Sequence, residues 1–250
     1  VDLSADVLSI AEGVDGDNQP NQITYTATLS GGVAKNDITV TLANDEVITI
    51  KAGETSGSVS IDVQGDDVYR DGETIENSIK EVSEGSANPQ LENLEVAADT
   101  EVDVSVTDTI DTVTAHLTAS ETVAEDGNIT YEVELRDANG DAVTAKEAVT
   151  VTLTLPDGTT TDVLIGANSS SNSVEFTVVN DIYDIDSVSG SITDISGGAS
   201  FEKLEFNGDA QSTGVTDTDS IDTVTVDLSA DVLSIAEGVD GDNQPNQITY

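Results

Sequence analysis

Along this chain apolar and polar residues trade places at every second position, in short runs cut by turn residues. Ile23, Tyr25, Ala27 and Leu29 alternate with Thr24, Thr26 and Thr28, and Ile129, Tyr131, Val133 and Leu135 alternate with Thr130, Glu132 and Glu134. A period of two marks strands with one face buried and the other in water. The same signature predicts strands at 38–42, 47–50, 59–63, 75–79 and 102–106, then again at 149–155, 163–165, 174–178, 188–192 and, more weakly, around Val215. Gly, Asn and Asp fill the intervals, as at Ala52-Gly53-Glu54 and between Asp137 and Asp141, where their local hydrogen bonding and tolerance of unusual backbone angles favour turns. No segment carries the 3.6-residue apolar stripe of a helix. About seven short strands in each stretch of about 110 residues predict an all-β chain of antiparallel sandwiches. Tyr25, Tyr131 and Tyr250 fall on the inward phase of their strands and read as core.

The pattern is also periodic on a longer scale. Val226–Tyr250 repeats Val1–Tyr25 letter for letter, an offset of 225 residues, which marks a tandem array. A weaker repeat divides that period. Ala11-Glu12-Gly13 answers to Ala124-Glu125-Asp126, Asp67-Val68-Tyr69 to Asp181-Ile182-Tyr183, Leu91-Glu92-Asn93-Leu94 to Phe201-Glu202-Lys203-Leu204, and Ile110-Asp111-Thr112-Val113 to Ile221-Asp222-Thr223-Val224. The expected organisation is therefore one immunoglobulin-like unit over 1–112, a diverged second over 113–224, and the opening of a third over 225–250. That opening cannot close a sandwich alone. The favoured reading is a slice of a longer polymer; a strand lent to another molecule and packing on the second unit stay open.

Charge narrows the possible partners. The chain holds 50 acidic residues against 7 basic ones, a formal net charge of −43. Polyphosphate is repelled, which excludes nucleic acid as a partner; the same charge argues against docking on anionic lipid, and cations are attracted. No stretch approaches the roughly 18 apolar residues that span a bilayer. There is no Cys, so no disulfide staples the fold and extra stability must come from packing or metal.

The carboxylates gather at turns. In the first unit the clusters contain Glu12, then Asp66, Asp67, Asp71 and Glu73, then Asp108 and Asp111; in the second they contain Glu125, then Asp181, Asp184 and Asp186, then Asp217 and Asp222. Calcium takes six to eight oxygens, several from carboxylates on turns that wrap it. Up-and-down strands bring the three clusters of a unit to one end of its sandwich, so these residues are the candidate Ca2+ ligands. The competing reading is that they are soluble turns.

At these residues the chain resembles a known family. VTDTIDTV over 106–113, the VAED segment over 123–126 ahead of an ITY strand, and the GDDVYRDGE turn over 65–73 are similar to the immunoglobulin-like repeats of giant bacterial adhesins exported by type I secretion, the biofilm-forming RTX adhesins among them, and to the Calx-beta domain. The resemblance implies a secreted, surface-exposed stalk of many domains stiffened by calcium. Carried over by position, it implies ligands at Glu12, Asp66, Asp67, Glu73 and Asp108 with Asp111 at the junction, and at Glu125, Asp181 and Asp217 with Asp222 at the next. The second unit departs from the pattern, with Asn180 at the place of Asp66 and Ser187 at that of Glu73; Asp184 and Asp186 are placed to compensate.

The expected role is that of a structural extender whose partners are its neighbouring repeats, calcium and, in a self-associating filament or layer, other copies of itself. A ligand-binding adhesive domain is a further alternative, weakened by a content of only 5 Tyr and 3 Phe. An enzyme is not expected. His116 is the only histidine, no nucleophile elbow or phosphate loop is present, and acidic clusters that recur in every unit do not read as an active site.

Overall fold

The computed structural model describes residues 1–180, 183, 185–216, 224–231, 234–238, 241, 243 and 245–248. In chain order the first nine strands are β1 (Asp2–Ala5), β2 (Ser9–Ala11), β3 (Gln22–Thr28), β4 (Ile38–Leu42), β5 (Val47–Ile50), β6 (Ser56–Asp62), β7 (Thr74–Asn77), β8 (Ile79–Glu84) and β9 (Val102–Thr107). The next nine are β10 (Thr112–Ala119), β11 (Thr122–Ala124), β12 (Asn128–Arg136), β13 (Val149–Thr154), β14 (Thr160–Ile165), β15 (Ser171–Thr177), β16 (Ser187–Gly197), β17 (Lys203–Phe206) and β18 (Gln211–Thr216). The described residues contain no helix, and the chain is an all-β tandem of immunoglobulin-like sandwiches.

The second set shows the plan in full. One sheet runs β15-β12-β10-β17 and the opposing sheet β11-β18-β16-β13-β14. The first set repeats it with β6-β3-β1 against β2-β9-β7 and β5-β4-β8. Pairing among the named strands is antiparallel except for β2 with β9, β11 with β18 and β10 with β17, which are parallel. The first two exceptions have one cause. After its opening strand the chain crosses to the other sheet, and a three-residue segment lies alongside the last strand.

Alternation does the packing. Ile23, Tyr25 and Ala27 of β3 and Ile129, Tyr131, Val133 and Leu135 of β12 are all 0–1% exposed, while the intervening Thr and Glu residues face outward. Each such aliphatic side chain contributes roughly 1.5–3 kcal/mol on burial. The buried residues form two clusters, one between Val1 and Val106 and the other between Val113 and Val215.

Two elements differ from the alternation pattern. The run at 75–79 is not one strand: β7 pairs with β9 and β8 with β4, and the chain changes partner at Ser78. Its counterpart β16 stays continuous to Gly197 and pairs with both β18 and β13. Strand β17 has no counterpart in the first unit. It pairs with Thr112–Ala115; at the corresponding edge of the first unit Val1 N donates to Glu95 O (2.7 Å) and Ala97 N to Val1 O (2.8 Å).

The exact repeat separates local from tertiary order. Asn246 Nδ2 donates to Ala236 O at 2.8 Å, as Asn21 Nδ2 donates to Ala11 O at 3.0 Å, so this one bond is the same in both copies. Leu3 is 6% exposed but its copy Leu228 is 76% exposed. A strand without its sheet has nowhere to bury. Ile248 is half-buried and Tyr250 lies outside the described residues.

Candidate functional site

The seam between the two units is built from one turn of the first and one edge of the second. Residues 65–73 project from the end of β6 and place Val68 and Tyr69 against the core of the second unit. The Tyr69 ring stacks on Phe201, with centroids 5.5 Å apart and planes at 19°. Its hydroxyl donates to Thr144 O at 2.6 Å, and Lys146 Nζ lies 3.6 Å from the ring centroid. Backbone bonds clamp the contact: Arg70 N to Ser200 O at 2.8 Å and Glu202 N to Val68 O at 3.1 Å, joined by Arg70 Nη2 to Glu202 O at 2.9 Å.

Beside this apolar contact the carboxylates converge. Glu12 is 2% exposed and Glu202 is 5% exposed, and together with the half-buried Asp108 they present carboxylate oxygens that all lie within 4.8 Å of one another. Two of these residues come from the first unit and one from the second. Gln64 Nε2 donates to both Glu12 Oε2 (3.0 Å) and Asp71 Oδ1 (2.9 Å). Thr109 N donates to Glu12 Oε1 at 3.1 Å, and Asp71 N to Asp108 Oδ1 at 3.3 Å. Asp111 N donates to Glu202 Oε2, but Glu202 Oε1 is buried with no hydrogen-bond partner. Gly13, at φ +93°, lets the loop after Glu12 pass close to Asp66; a Cβ there would meet Asp66 Cβ at 3.1 Å.

An adjoining cleft of about 220 Å³ is lined by Asp66, Asp67, Asp111 and Asp137. Thr109 Oγ1 donates to Asp66, and Tyr69 N donates to Asp67 Oδ1 at 2.6 Å. Burial, followed by the negative charge of Asp66, pushes the Asp111 carboxyl above the usual carboxylate range. Burial also pushes Glu202 up, and Glu12, Asp108 and Asp111 add to the rise, while the bond from Asp111 N opposes it. An unpartnered carboxylate oxygen held among like charges in a dry site is unfavourable. All the donors are hard oxygens, the set that suits Ca2+ rather than a thiophilic metal.

Of the sequence-predicted residues, the structure brings Glu12, Asp66, Asp67, Asp71, Asp108 and Asp111 to this one end of the first unit. Glu73 pairs through its backbone with Val106 (3.1 and 2.8 Å), and it lines a neighbouring groove with Asp108. In the second unit Glu125 is half-buried, and its N donates to Thr216 O at 3.2 Å, matching Glu12 N to Thr107 O at 3.0 Å. Asp186 is exposed, and its carbonyl accepts from Val215 N at 3.0 Å. Asp181, Asp184, Asp217 and Asp222 lie outside the described residues. Sequence reasoning missed Glu202 and Asp137. The repeat alignment matched Glu202 to Glu92, but Glu92 is exposed, and only the docking of Tyr69 on Phe201 carries Glu202 into the seam.

Comparison with known proteins places these features. No curated protein matches. Solved structures similar to this chain include the calcium-binding domain CBD12 of CALX1.1, at 13% identity over 86% of this chain and 100% of that one, with a TM-score of 0.33. Invasin, a bacterial integrin-binding protein, is 17% identical over 87% of this chain and 40% of its own, with a TM-score of 0.38. A tetra-tandem repeat in the extending region of a large adhesion protein is 15% identical over 85% of this chain and 47% of its own, with a TM-score of 0.34. The LapA domain family model matches twice, over residues 6–109 and 111–218, and most of the chain therefore lies within those two copies: it belongs to the adhesin-related LapA domain family.

Proposed function

We propose that this chain is a structural, non-catalytic extender of a bacterial cell-surface adhesin, working outside the cell and stiffened by calcium at the seams between its units. On this reading 1–112 and 113–224 are the two repeating domains and 225–250 opens a third. The observation that carries the proposal is the convergence of Glu12, Asp108 and Glu202 from both sides of one seam, with Glu202 Oε1 buried and unpartnered. Those three residues would hold the ion, with Asp66, Asp71 and Asp111 beside them. When bound, calcium supplies the positive charge that lets clustered carboxylates stay ionised together.

The chain's own residues do the rest. Tyr69 and Phe201 fix the distance between units, Gln64 and the Thr109 amide orient Glu12, and the Asp111 amide orients Glu202. Because one ligand belongs to the second unit, closing the site and aligning the units become one event. Extracellular calcium modules bind at about 10⁻⁴ to 10⁻³ M, and an ion at 100 times its dissociation constant adds about 2.7 kcal/mol to the folded state. Thermal melting with calcium and with chelator tests the proposal; an unchanged melting temperature defeats it. Many such units, each touching only its neighbours, make a long tether.

A further inference from the structure

The socket that receives Tyr69 has a counterpart on the first unit. Ala34 and Ala145 are both fully buried and make the same ties: Gly53 N donates to Ala34 O and Asn168 N to Ala145 O, each at 2.8 Å. That register sets Lys35 at the place of Lys146 and Val33 at the place of Thr144. The repeat sets Leu91 at the place of Phe201 and Leu94 at that of Leu204. Val33, Leu91 and Leu94 line a cleft of about 330 Å³ at the Val1 end of the first unit, together with Val1, Leu29 and three small residues, Ser30, Gly31 and Gly32. Val33 remains 39% exposed. In the second unit the same surface is covered from two directions, by the Tyr69 turn and by the pairing of Thr112–Ala115 with β17.

The sequence supplies both covers for the first unit's cleft. Tyr183 answers to Tyr69 and is 69% exposed. Ile221-Asp222-Thr223-Val224 answers to Ile110-Asp111-Thr112-Val113, and the residues that follow Thr225 are those of the first unit again. The geometry points to one occupant: the cleft at the Val1 end is the socket for a unit of the second kind preceding it in the array. Tyr183 of that unit lies over Leu91 and beneath Lys35, with its hydroxyl donating to Val33 O. Val224 and Thr225 of that unit then run along Leu94 and Glu95, in the register by which Val113 and Thr114 run along Leu204 and Glu205. The seam is then of the same apolar kind at every joint, although Glu92 is exposed and Asp184 stands at the place of Arg70. The inference rests on the division into units proposed above and is independent of the calcium ligands.

A chain in which residues 26–225 follow Tyr250 once more contains this joint once. Val33→Cys is introduced either in the first unit or in its copy in the third, in a protein that has no cysteine of its own, and alkylation by iodoacetamide is timed. Because the two sites share their local sequence, only the preceding unit distinguishes them. The copy in the third unit is expected to react about tenfold more slowly, and Tyr183→Ala is expected to restore its rate. Val47→Cys, exposed and distant, reacts equally in both units. Leu91→Cys repeats the comparison at a second lining position. Equal rates at the two copies of Val33, with calcium and with chelator, overturn the inference.

Discussion

Replacing Tyr69 by alanine removes the apolar half of the seam and leaves every carboxylate in place. The ring stack on Phe201 at 5.5 Å is worth about 0.5–1.5 kcal/mol beyond area burial. The hydroxyl bond to Thr144 O at 2.6 Å adds about 0.5–1.5 kcal/mol net. Lys146 over the ring adds about 0.5–1 kcal/mol, because the lysine is half-exposed. Together Tyr69→Ala is expected to cost about 1.5–4 kcal/mol. Tyr69→Phe keeps the ring and loses only the hydroxyl, so it is expected to cost about 1 kcal/mol. Urea unfolding followed by far-ultraviolet circular dichroism at fixed calcium reads both numbers, with the exposed Val47→Ala as a control expected within about 0.5 kcal/mol of the parent. The reasoning is refuted if Tyr69→Ala costs less than about 0.5 kcal/mol, or if Tyr69→Phe costs as much as Tyr69→Ala, since the ring contacts would then contribute nothing.

Three further outcomes follow from named contacts. Glu202→Gln removes a charge that is disfavoured among Glu12, Asp108 and Asp111, so the melting temperature in chelator should stay the same or rise while the calcium-dependent gain shrinks; an equal fall in both conditions contradicts a ligand role. Glu84 accepts from Gln90 N (2.9 and 3.0 Å), Leu91 N (3.2 Å) and Asn36 Nδ2 (2.7 Å), and the bond from Gln90 N leads the group in holding its carboxyl below the usual range. Its folded pKa is thus below the unfolded one, so its stabilisation is present above about pH 4 and is lost as pH falls through the folded value; the parent and Glu84→Gln should differ in melting temperature at pH 7 and converge in acid. Gly57→Ala puts a Cβ 2.4 Å from Thr49 O, a backbone atom that cannot step aside, and should cost about 1–3 kcal/mol in urea unfolding, whereas a neutral effect would mean that β5 and β6 sit less closely than described.

The sandwich was legible because alternation is written in the residues themselves: a strand with Ile23, Tyr25 and Ala27 on one face has one face to bury. What alternation could not show was partnership. Nothing in 75–79 says that the chain changes sheets at Ser78, because the pattern of one strand is the same whichever neighbour it has. Strand β17 escaped notice because its four residues pair only with the start of the second unit. The acidic turns could be read as a group: Glu12, Asp71 and Asp108 are linked through Gln64 and the Asp71 amide, and Asp66 lines the adjoining cleft. Glu202 could not be read, since its position depends on a contact about 130 residues away in sequence, between Tyr69 and Phe201, and its counterpart Glu92 lies in the open. Local rules also explain the contrast between the copies, where Asn246 keeps its bond to Ala236 O while Leu228 stays exposed.

Crystals of the chain grown in saturating calcium, with anomalous differences collected at a wavelength where calcium scatters, test the central claim most directly. The account predicts a peak among Glu12, Asp108 and Glu202, with oxygen distances of about 2.3–2.6 Å and with the Tyr69–Phe201 stack intact. A seam with no peak there, its two units still aligned and Glu202 still buried, would contradict it.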